Sequence, residues 1–120
     1  MKVAVSAAGQ TLEAPVDPRF GRAAAFVIVD VDTGAVEARE NTQNLQAAQG
    51  AGIQTARSVV EWGAGAVLTG NVGPKAFFAL RAAGVKVYAG ASGTVREAVE
   101  QYKAGRLKET DEATVESHWM

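Results

Sequence analysis

The sequence predicts an α/β fold with a mixed five-stranded sheet and helices on both faces. In the second half of the chain, short apolar stretches alternate with helical periodicities, which is typical of parallel βαβ units. In the first half, two β-branched stretches flank the turn residues Asp32, Thr33 and Gly34 and predict a hairpin. Because βαβ crossovers are right-handed, we expect the parallel strands on one side of the first strand and the hairpin on the other.

Composition predicts one domain over residues 1–105, followed by a polar C-terminal tail over residues 106–120. With 12 Lys and Arg residues against 13 Asp and Glu residues, the formal net charge is -1. The chain as a whole therefore does not attract nucleic acid or an anionic membrane. The sequence has no Cys, which excludes disulfides, thiolate metal ligands and Cys nucleophiles. No apolar run is long enough to cross a membrane, and we expect a cytoplasmic protein that is monomeric or weakly dimeric.

Each element of the first half has a local signal. Residues 2–6 are rich in Val and predict the first strand, and residues 10–22 fit neither periodicity, which predicts a loop. Residues 25–31 predict a buried strand, and the more polar residues 35–40 predict its hairpin partner near a sheet edge. Residues 41–50 form a polar connector.

The second half predicts helices between short strands. Residues 51–62 place apolar side chains at helical spacing, and residues 66–69 predict a buried strand. After a tight turn at residues 70–73, a helix begins at Pro74, where the missing N–H costs nothing. Residues 85–89 predict the last strand.

Three loops should meet at the carboxyl ends of the parallel strands: the loop after Ser6, residues 70–73 and residues 90–93. Ligands of open α/β sheets bind at this edge. The Gly-rich turn at residues 70–73 exposes backbone amides beside a helix N-terminus, which favours anions. Thr94 and Glu97 match a capping box that opens the last helix.

The most distinctive stretch is residues 17–22, with the sequence Asp-Pro-Arg-Phe-Gly-Arg. Two guanidinium groups with an exposed aromatic ring between them would suit an anion with a polarisable body. Alternatively, Phe20 packs in the core while Arg19 and Arg22 pair with Asp17 or lie on the surface. The residues alone leave both alternatives open.

This stretch, followed by Phe26 and Asp30, resembles the opening signature of the dinitrogenase iron–molybdenum cofactor biosynthesis family, the NifX- and NafY-like carriers. Three later motifs are similar to motifs of that family and occur in the same order. They are Gly-Ala-Gly-Ile at residues 50–53, Gly-Asn-Val-Gly-Pro at residues 70–74 and Gly-Ala-Ser-Gly-Thr-Val at residues 90–95. The resemblance covers nearly the whole chain.

The resemblance implies a ribonuclease H-like α/β fold that carries a metal–sulfur cluster and is not an enzyme. Small stand-alone members include the orange proteins of sulfate-reducing bacteria, which hold a mixed molybdenum–copper sulfide cluster without covalent ligands. This chain resembles that kind. The implied cofactor is a molybdenum–copper sulfide cluster or a related molybdenum–iron–sulfur cluster, and the implied partner is a protein that receives it.

Two departures from the family's sequence pattern bear on the mode of binding. Many members have Cys where this chain has Ala23 and His where it has Gln49, so we expect no side-chain ligation of a metal. Backbone amides and cationic side chains would hold the anionic cluster instead. The predicted cofactor-binding residues are Arg19, Phe20, Gly21, Arg22, Gln49, Gly50, Gly52, Asn71, Val72, Gly73, Lys75, Ser92, Gly93 and Thr94.

The missing Cys and His also motivate a rival hypothesis. In it, cluster binding has been lost, and the chain is a cofactor-free interaction or regulatory module that partners a MinD-like ATPase. Nuclease activity is not expected, because two-metal hydrolysis needs clustered acids and the first strand carries none. Uptake of tetrathiomolybdate with copper would discriminate between a cluster carrier and an interaction module.

Overall fold

A computed structural model describes residues 1–41 and 50–114. Its elements are β1 (Lys2–Ala7), β2 (Ala25–Asp30), β3 (Val36–Glu40), α1 (Ala51–Glu61), β4 (Ala66–Leu68), α2 (Pro74–Ala82), β5 (Lys86–Tyr88) and α3 (Val95–Lys103). Residues 42–49 lie outside the described residues, and they include Gln49 and most of the predicted connector. Residues 115–120, the last part of the predicted tail, also lie outside them.

The five strands form one mixed sheet in the order β3-β2-β1-β4-β5. The hairpin partners β2 and β3 are antiparallel, and β2 is antiparallel to β1. On the other side, β4 runs parallel to β1 with Val3 opposite Ala66, and β5 runs parallel to β4 with Ala66 opposite Lys86. The predicted mixed sheet is therefore confirmed, with the hairpin and the parallel strands on opposite sides of β1.

Helices cover both faces of this sheet. One face packs against α1 and α2, where Val59 and Leu80 are fully buried, and the other packs against α3 through the fully buried Val95. Because side chains alternate along a strand, Ala4 of β1 contributes to the first cluster and Val5 to the second. Burial of one Leu or Val side chain of this kind contributes roughly 1.5–3 kcal/mol to folding.

The ends of the elements follow the local signals of the sequence. Gly63, Gly84 and Gly105 come just after the three helices, and each has a positive φ of 74–81° that terminates a helix at low cost. Strands β4 and β5 are shorter than predicted. The Thr69 N–H still donates to Tyr88 of β5, but the Thr69 carbonyl accepts the Ala91 N–H beyond the strand, and the Ala89 N–H donates to Thr110. Within the described ranges, no helix combines the length and apolar character that crossing a bilayer requires.

The segment after α3, residues 106–114, runs along the edge of the sheet beside β5, and we call it the C-terminal strap. The Thr110 N–H donates to the Val87 carbonyl at 2.7 Å, and the Thr110 hydroxyl accepts the Ala89 N–H at 2.8 Å. Further along, Ala113 packs against the core, and Thr114 bonds the turn after β4. The strap therefore covers part of the sheet edge that β5 would otherwise leave unpaired.

Candidate functional site

One loop, residues 8–24, joins the turns at the carboxyl ends of the three parallel strands. Its three links are the hydrogen bonds from Asp17 N–H to the Ser6 carbonyl (2.8 Å), from Phe20 N–H to the Asn71 carbonyl (3.2 Å) and from Val16 N–H to the Gly93 carbonyl (2.8 Å). The turns themselves are also joined, since Gly90 N–H donates to the Gly70 carbonyl at 2.9 Å. The predicted convergence of the three loops is confirmed.

A buried polar pair fixes this loop to the sheet. The Ser6 hydroxyl lies 2.8 Å from the Thr69 hydroxyl and 2.8 Å from the Asp17 carbonyl, and both hydroxyl side chains are fully buried. A buried hydroxyl is retained at low cost only when it is hydrogen-bonded, so the pair holds the loop in one position. Sequence reasoning did not select these residues, although a polar residue at the end of each of two apolar strands was a signal for them.

The loop and the turn after β4 touch without space between their backbones. A Cβ atom on Gly70 would lie 2.6 Å from Cα of Pro18, which is too close for any side chain. Across the same contact, the side-chain amide of Asn71 donates to the Pro18 carbonyl at 3.4 Å. Arg19 and Asn71 form an isolated parallel bridge, so the structure places these two predicted residues side by side.

Glycines also bring the first turns of α1 and α2 together. A Cβ on Gly21 would lie 2.8 Å from Cα of Gly52 in α1, and a Cβ on Gly52 would lie 3.3 Å from Cβ of Ala76 in α2. The backbone of the Arg-Phe-Gly-Arg stretch therefore sits on the start of α1, and α1 in turn meets the start of α2. Two helix N-termini and the loop form one small surface.

Neither of these two helix N-termini is capped by a side chain. Gly50 and Gly73 stand at the N-cap positions, neither makes a side-chain cap, and neither helix has an acidic residue in its first turn. The first N–H groups of a helix lack intrahelical partners and carry partial positive charge. Apart from Pro74, which has no N–H, the first residues of the two helices therefore carry N–H donors without a side-chain cap, and Lys75 in the first turn of α2 adds a full positive charge.

The N-terminus of α3, in contrast, is closed by the chain itself. The Thr94 hydroxyl accepts the Glu97 N–H at 3.1 Å, and the Glu97 carboxylate accepts the Thr94 N–H at 2.9 Å, so the predicted capping box is confirmed. The next amides, those of Val95 and Arg96, donate to carbonyls of residues 14 and 12 at 2.9 Å each. Thr94 therefore has a structural role in these contacts, and a carboxylate lies where an anion would have to bind.

The cations that surround the two open helix starts differ in exposure. Arg19 and Lys75 are exposed, and Arg22 is partly buried. Among the ion pairs recorded for residues 1–41 and 50–114, none involves Arg19 or Lys75. The Asp17 carboxylate accepts the backbone N–H of Arg19 at 2.9 Å, which fixes the turn without using the guanidinium group.

Of the two alternatives for Phe20, the exposed ring is wrong and the ring packed in the core is confirmed. Phe20 is fully buried, and its ring meets that of Phe26 edge-on with centroids 5.4 Å apart. Burial of an aromatic ring outweighs what an exposed ring gains from a ligand, so Phe20 anchors the loop to the core. Val72 is also fully buried, and both ends of its backbone bond Thr114 of the C-terminal strap.

Two of the remaining predicted residues, Ser92 and Gly93, lie on the turn after β5. Ser92 is exposed on the turn after β5, and the Gly93 carbonyl accepts from the loop, so this turn lies beside the closed end of α3. Gln49 lies outside the described residues. Ala23, at the position of the missing Cys, is fully buried in the core. Within residues 1–41 and 50–114, no group of three or more His, Cys, Asp or Glu side chains could hold a metal ion.

The shifted pKa values belong to the opposite end of the sheet. Hydrogen bonds from the N–H groups of Asp32 and Thr33 lower the pKa of Asp30 at the end of β2. The hydrogen bond to Asp32 raises the pKa of the Met1 amino group, which lies beside these residues. The start of β1 and the end of β2 are antiparallel neighbours, so this charged cluster is remote from the carboxyl ends of the parallel strands.

Comparison with known proteins identifies relatives over nearly the whole chain. Residues 1–105 match the sequence profile of a family described as dinitrogenase iron-molybdenum cofactor. The apo form of the orange protein from Desulfovibrio gigas is 45% identical, with a TM-score of 0.93 and coverage of 95% of this chain and 96% of that one. A Thermotoga protein proposed to be of the NifB type is 42% identical, with a TM-score of 0.83 and coverage of 96% and 97%. An uncharacterized protein of Methanocaldococcus jannaschii is 28% identical over 76% of this chain and 79% of its own length.

Proposed function

The chain belongs to the dinitrogenase iron–molybdenum cofactor family, and from this premise we propose that it binds and carries an anionic metal–sulfur cluster that contains molybdenum. The observation that carries the proposal is the pair of adjacent, uncapped helix N-termini of α1 and α2. The start of α1 contains the second motif, residues 50–53, and packs against the first motif at Gly21. The third motif, residues 70–74, leads into α2. The chain acts as a carrier, without catalysis of its own.

The proposed site consists of backbone amides with cations around them. The amides belong to the first turns of α1 and α2 and to the turn after β4, and the cations are Arg19, Arg22 and Lys75. The remaining site residues in this proposal are Gly21, Gly50, Gly52, Asn71 and Gly73. Gly21 and Gly52 allow the loop and the starts of α1 and α2 to pack closely, which brings the two helix starts next to each other.

This donor set suits a thiometallate better than a bare metal ion. A bare transition metal needs several thiolate, imidazole or carboxylate ligands, and the described residues bring no three such side chains together. A preassembled sulfide cluster already has its metals coordinated, and its outer sulfides are anionic acceptors. N–H donors and a guanidinium group can therefore hold it by hydrogen bonds and charge alone. Each charge near a helix N-terminus contributes about 0.3–1 kcal/mol, so several must act together.

The finer identity of the cluster is also a proposal. We infer a molybdenum–copper sulfide cluster, because the chain resembles the orange proteins of sulfate-reducing bacteria and has no thiol with which to ligate a metal. A related molybdenum–iron–sulfur cluster is the second candidate within the same class. The ribonuclease H-like description of the fold and a cytoplasmic location belong to the same proposal, and the strand order β3-β2-β1-β4-β5 supports the former.

The proposal is tested by uptake of the cluster components. Metal-free protein is titrated with tetrathiomolybdate and copper(I), desalted, and analysed by visible absorbance and metal content. Stoichiometric retention of both metals with new charge-transfer bands is the expected result. Retention should fall in Arg19→Ala but not in Arg96→Ala, the control, which removes an arginine from the closed first turn of α3. No retention by a folded protein would overturn the proposal and favour an interaction module.

A further inference from the structure

Two threonines of the C-terminal strap each donate a backbone N–H to a carbonyl and accept another backbone N–H with the hydroxyl, but they do so in different parts of the molecule. Thr110 donates its N–H to Val87 and accepts the Ala89 N–H with its hydroxyl, both along β5. Thr114 donates its N–H to the Val72 carbonyl at 3.0 Å and accepts the Val72 N–H with its hydroxyl at 2.9 Å, and the same hydroxyl donates to the Val72 carbonyl at 3.3 Å. Thr110 thus extends the sheet edge, whereas Thr114 is hydrogen-bonded to the turn that leads into α2.

The contact of Thr114 completes the fixation of one peptide plane. The peptide between Asn71 and Val72 has its carbonyl bonded to the Phe20 N–H and its N–H bonded to the Thr114 hydroxyl. A planar peptide that is bonded at both ends cannot rotate without the loss of at least one bond. The loop and the strap therefore hold the turn from opposite ends of the same peptide group.

The next peptide is oriented by the same residue. Its carbonyl, that of Val72, accepts the Thr114 N–H, and in a trans peptide the N–H points away from the carbonyl. The N–H of Gly73 therefore points away from the strap. Gly73 is the N-cap residue of α2, so this amide stands at the start of the helix whose N-terminus we place in the cluster site.

We propose that Thr114 is a positioning residue of the cluster site, acting through Val72 on the amides at the start of α2. This inference rests on the proposed function. It assigns a role to the strap, which lies beyond residues 1–105 that match the family profile. Because a bound anion needs amides that already point towards it, a turn held in one orientation loses less entropy on binding than a free one.

The test compares two matched variants with a rescue. Thr114→Val removes the hydroxyl at nearly constant shape, and with it both hydroxyl bonds to Val72. It should weaken retention of tetrathiomolybdate and copper about tenfold, the order of effect of lost hydrogen bonds that leave a donor unpaired. Thr110→Val removes a hydroxyl of the same strap that accepts the Ala89 N–H just after β5, and it should change retention by less than about twofold. Thr114→Ser retains the hydroxyl and should restore retention.

A second readout needs no cluster. Amide hydrogen exchange at Val72, whose N–H donates to the Thr114 hydroxyl, should accelerate in Thr114→Val and stay slow in Thr110→Val, with both variants folded. Equal retention in the two valine variants, or tighter retention in Thr114→Val, would overturn the role of Thr114 while the wild-type protein still binds. Absence of retention in the wild-type protein would overturn the proposed function itself.

Discussion

The N-termini of α2 and α3 lie at the same edge of the sheet and are used in opposite ways. At α3, Thr94 and Glu97 form a capping box, and the loop supplies acceptors for the next amides. At α2, the N-cap is Gly73, Pro74 follows, and the first turn carries Lys75 and no acid. The same backbone feature is structural where the chain supplies its own acceptors and available to a ligand where it does not.

The charges near the two helix starts reinforce this difference. Glu97 at α3 interacts favourably with the helix dipole and repels an external anion, whereas Lys75 at α2 opposes the dipole and attracts one. A cation in the first turn of a helix destabilises the folded protein slightly. Its placement beside Ile53, in the uncapped first turn of α1, is explained if the site binds an anion.

The largest effect is expected from Gly70→Ala, which separates the loop from the start of α2. The new Cβ would lie 2.6 Å from Cα of Pro18, so one of the two backbones must move. We expect a loss of about 1–3 kcal/mol in the free energy of unfolding, measured in urea, together with loss of cluster retention. The control is Gly65→Ala, whose Cβ would meet a Met1 side-chain atom at 3.4 Å. Equal stability of the two variants would contradict the close packing.

Lys75→Glu makes the first turn of α2 resemble that of α3. The change reverses one charge, so a carboxylate there repels an anion but interacts favourably with the helix dipole. Retention should fall about three- to thirtyfold while the free energy of unfolding rises by about 0.6–2 kcal/mol. Lys108→Glu changes the net charge equally on the exposed strap and serves as the control. If both variants lose retention alike, the effect is one of net charge and not of this helix start.

Thr94→Ala opens the closed end of α3. Loss of the cap should cost about 1 kcal/mol of stability in urea unfolding, without loss of cluster retention. Glu97→Gln retains an acceptor at the same position and should cost less. A fall in retention in Thr94→Ala that exceeds the loss of stability would place the end of α3 in the site after all.

The smallest effect concerns the opposite end of the sheet. The pKa of Asp30 is lowered from its usual value by the N–H groups of Asp32 and Thr33, so its stabilisation is present above the unfolded pKa of 3.8 and is lost as the pH falls through the folded value. Asp30→Ala should therefore reduce stability at neutral pH and flatten its decline in acid. Cluster retention at pH 7 should not change, and a change would show that the two ends are coupled.

The fold was predictable because its signals are local. The hairpin turn, the glycines after the helices and the capping box at Thr94 each lie within a few residues of what they determine, and right-handed crossovers fix the order of the strands. The convergence of three loops followed from the same topology.

The site was predictable only in part, because its contacts are not local. An Arg-Phe-Gly-Arg stretch is compatible with a ring in solvent or in the core, and only the partner Phe26 decides for the core. The closure of α3 depends on carbonyls some 80 residues earlier in the chain. The polar strap gave no periodic signal, although Thr110 and Thr114 bond the backbone of distant segments.

The most direct test of the central claim is a titration of nitrogen-15-labelled protein with tetrathiomolybdate and copper(I), followed through the backbone amide resonances. The account predicts the largest shifts at residues 51–53, 73, 75 and 76, at the starts of α1 and α2, with residues 95–97 at the start of α3 little changed. Higher salt should reduce the shifts, because exposed charges are screened. Dominant shifts at residues 95–97, or none at the starts of α1 and α2, would contradict it.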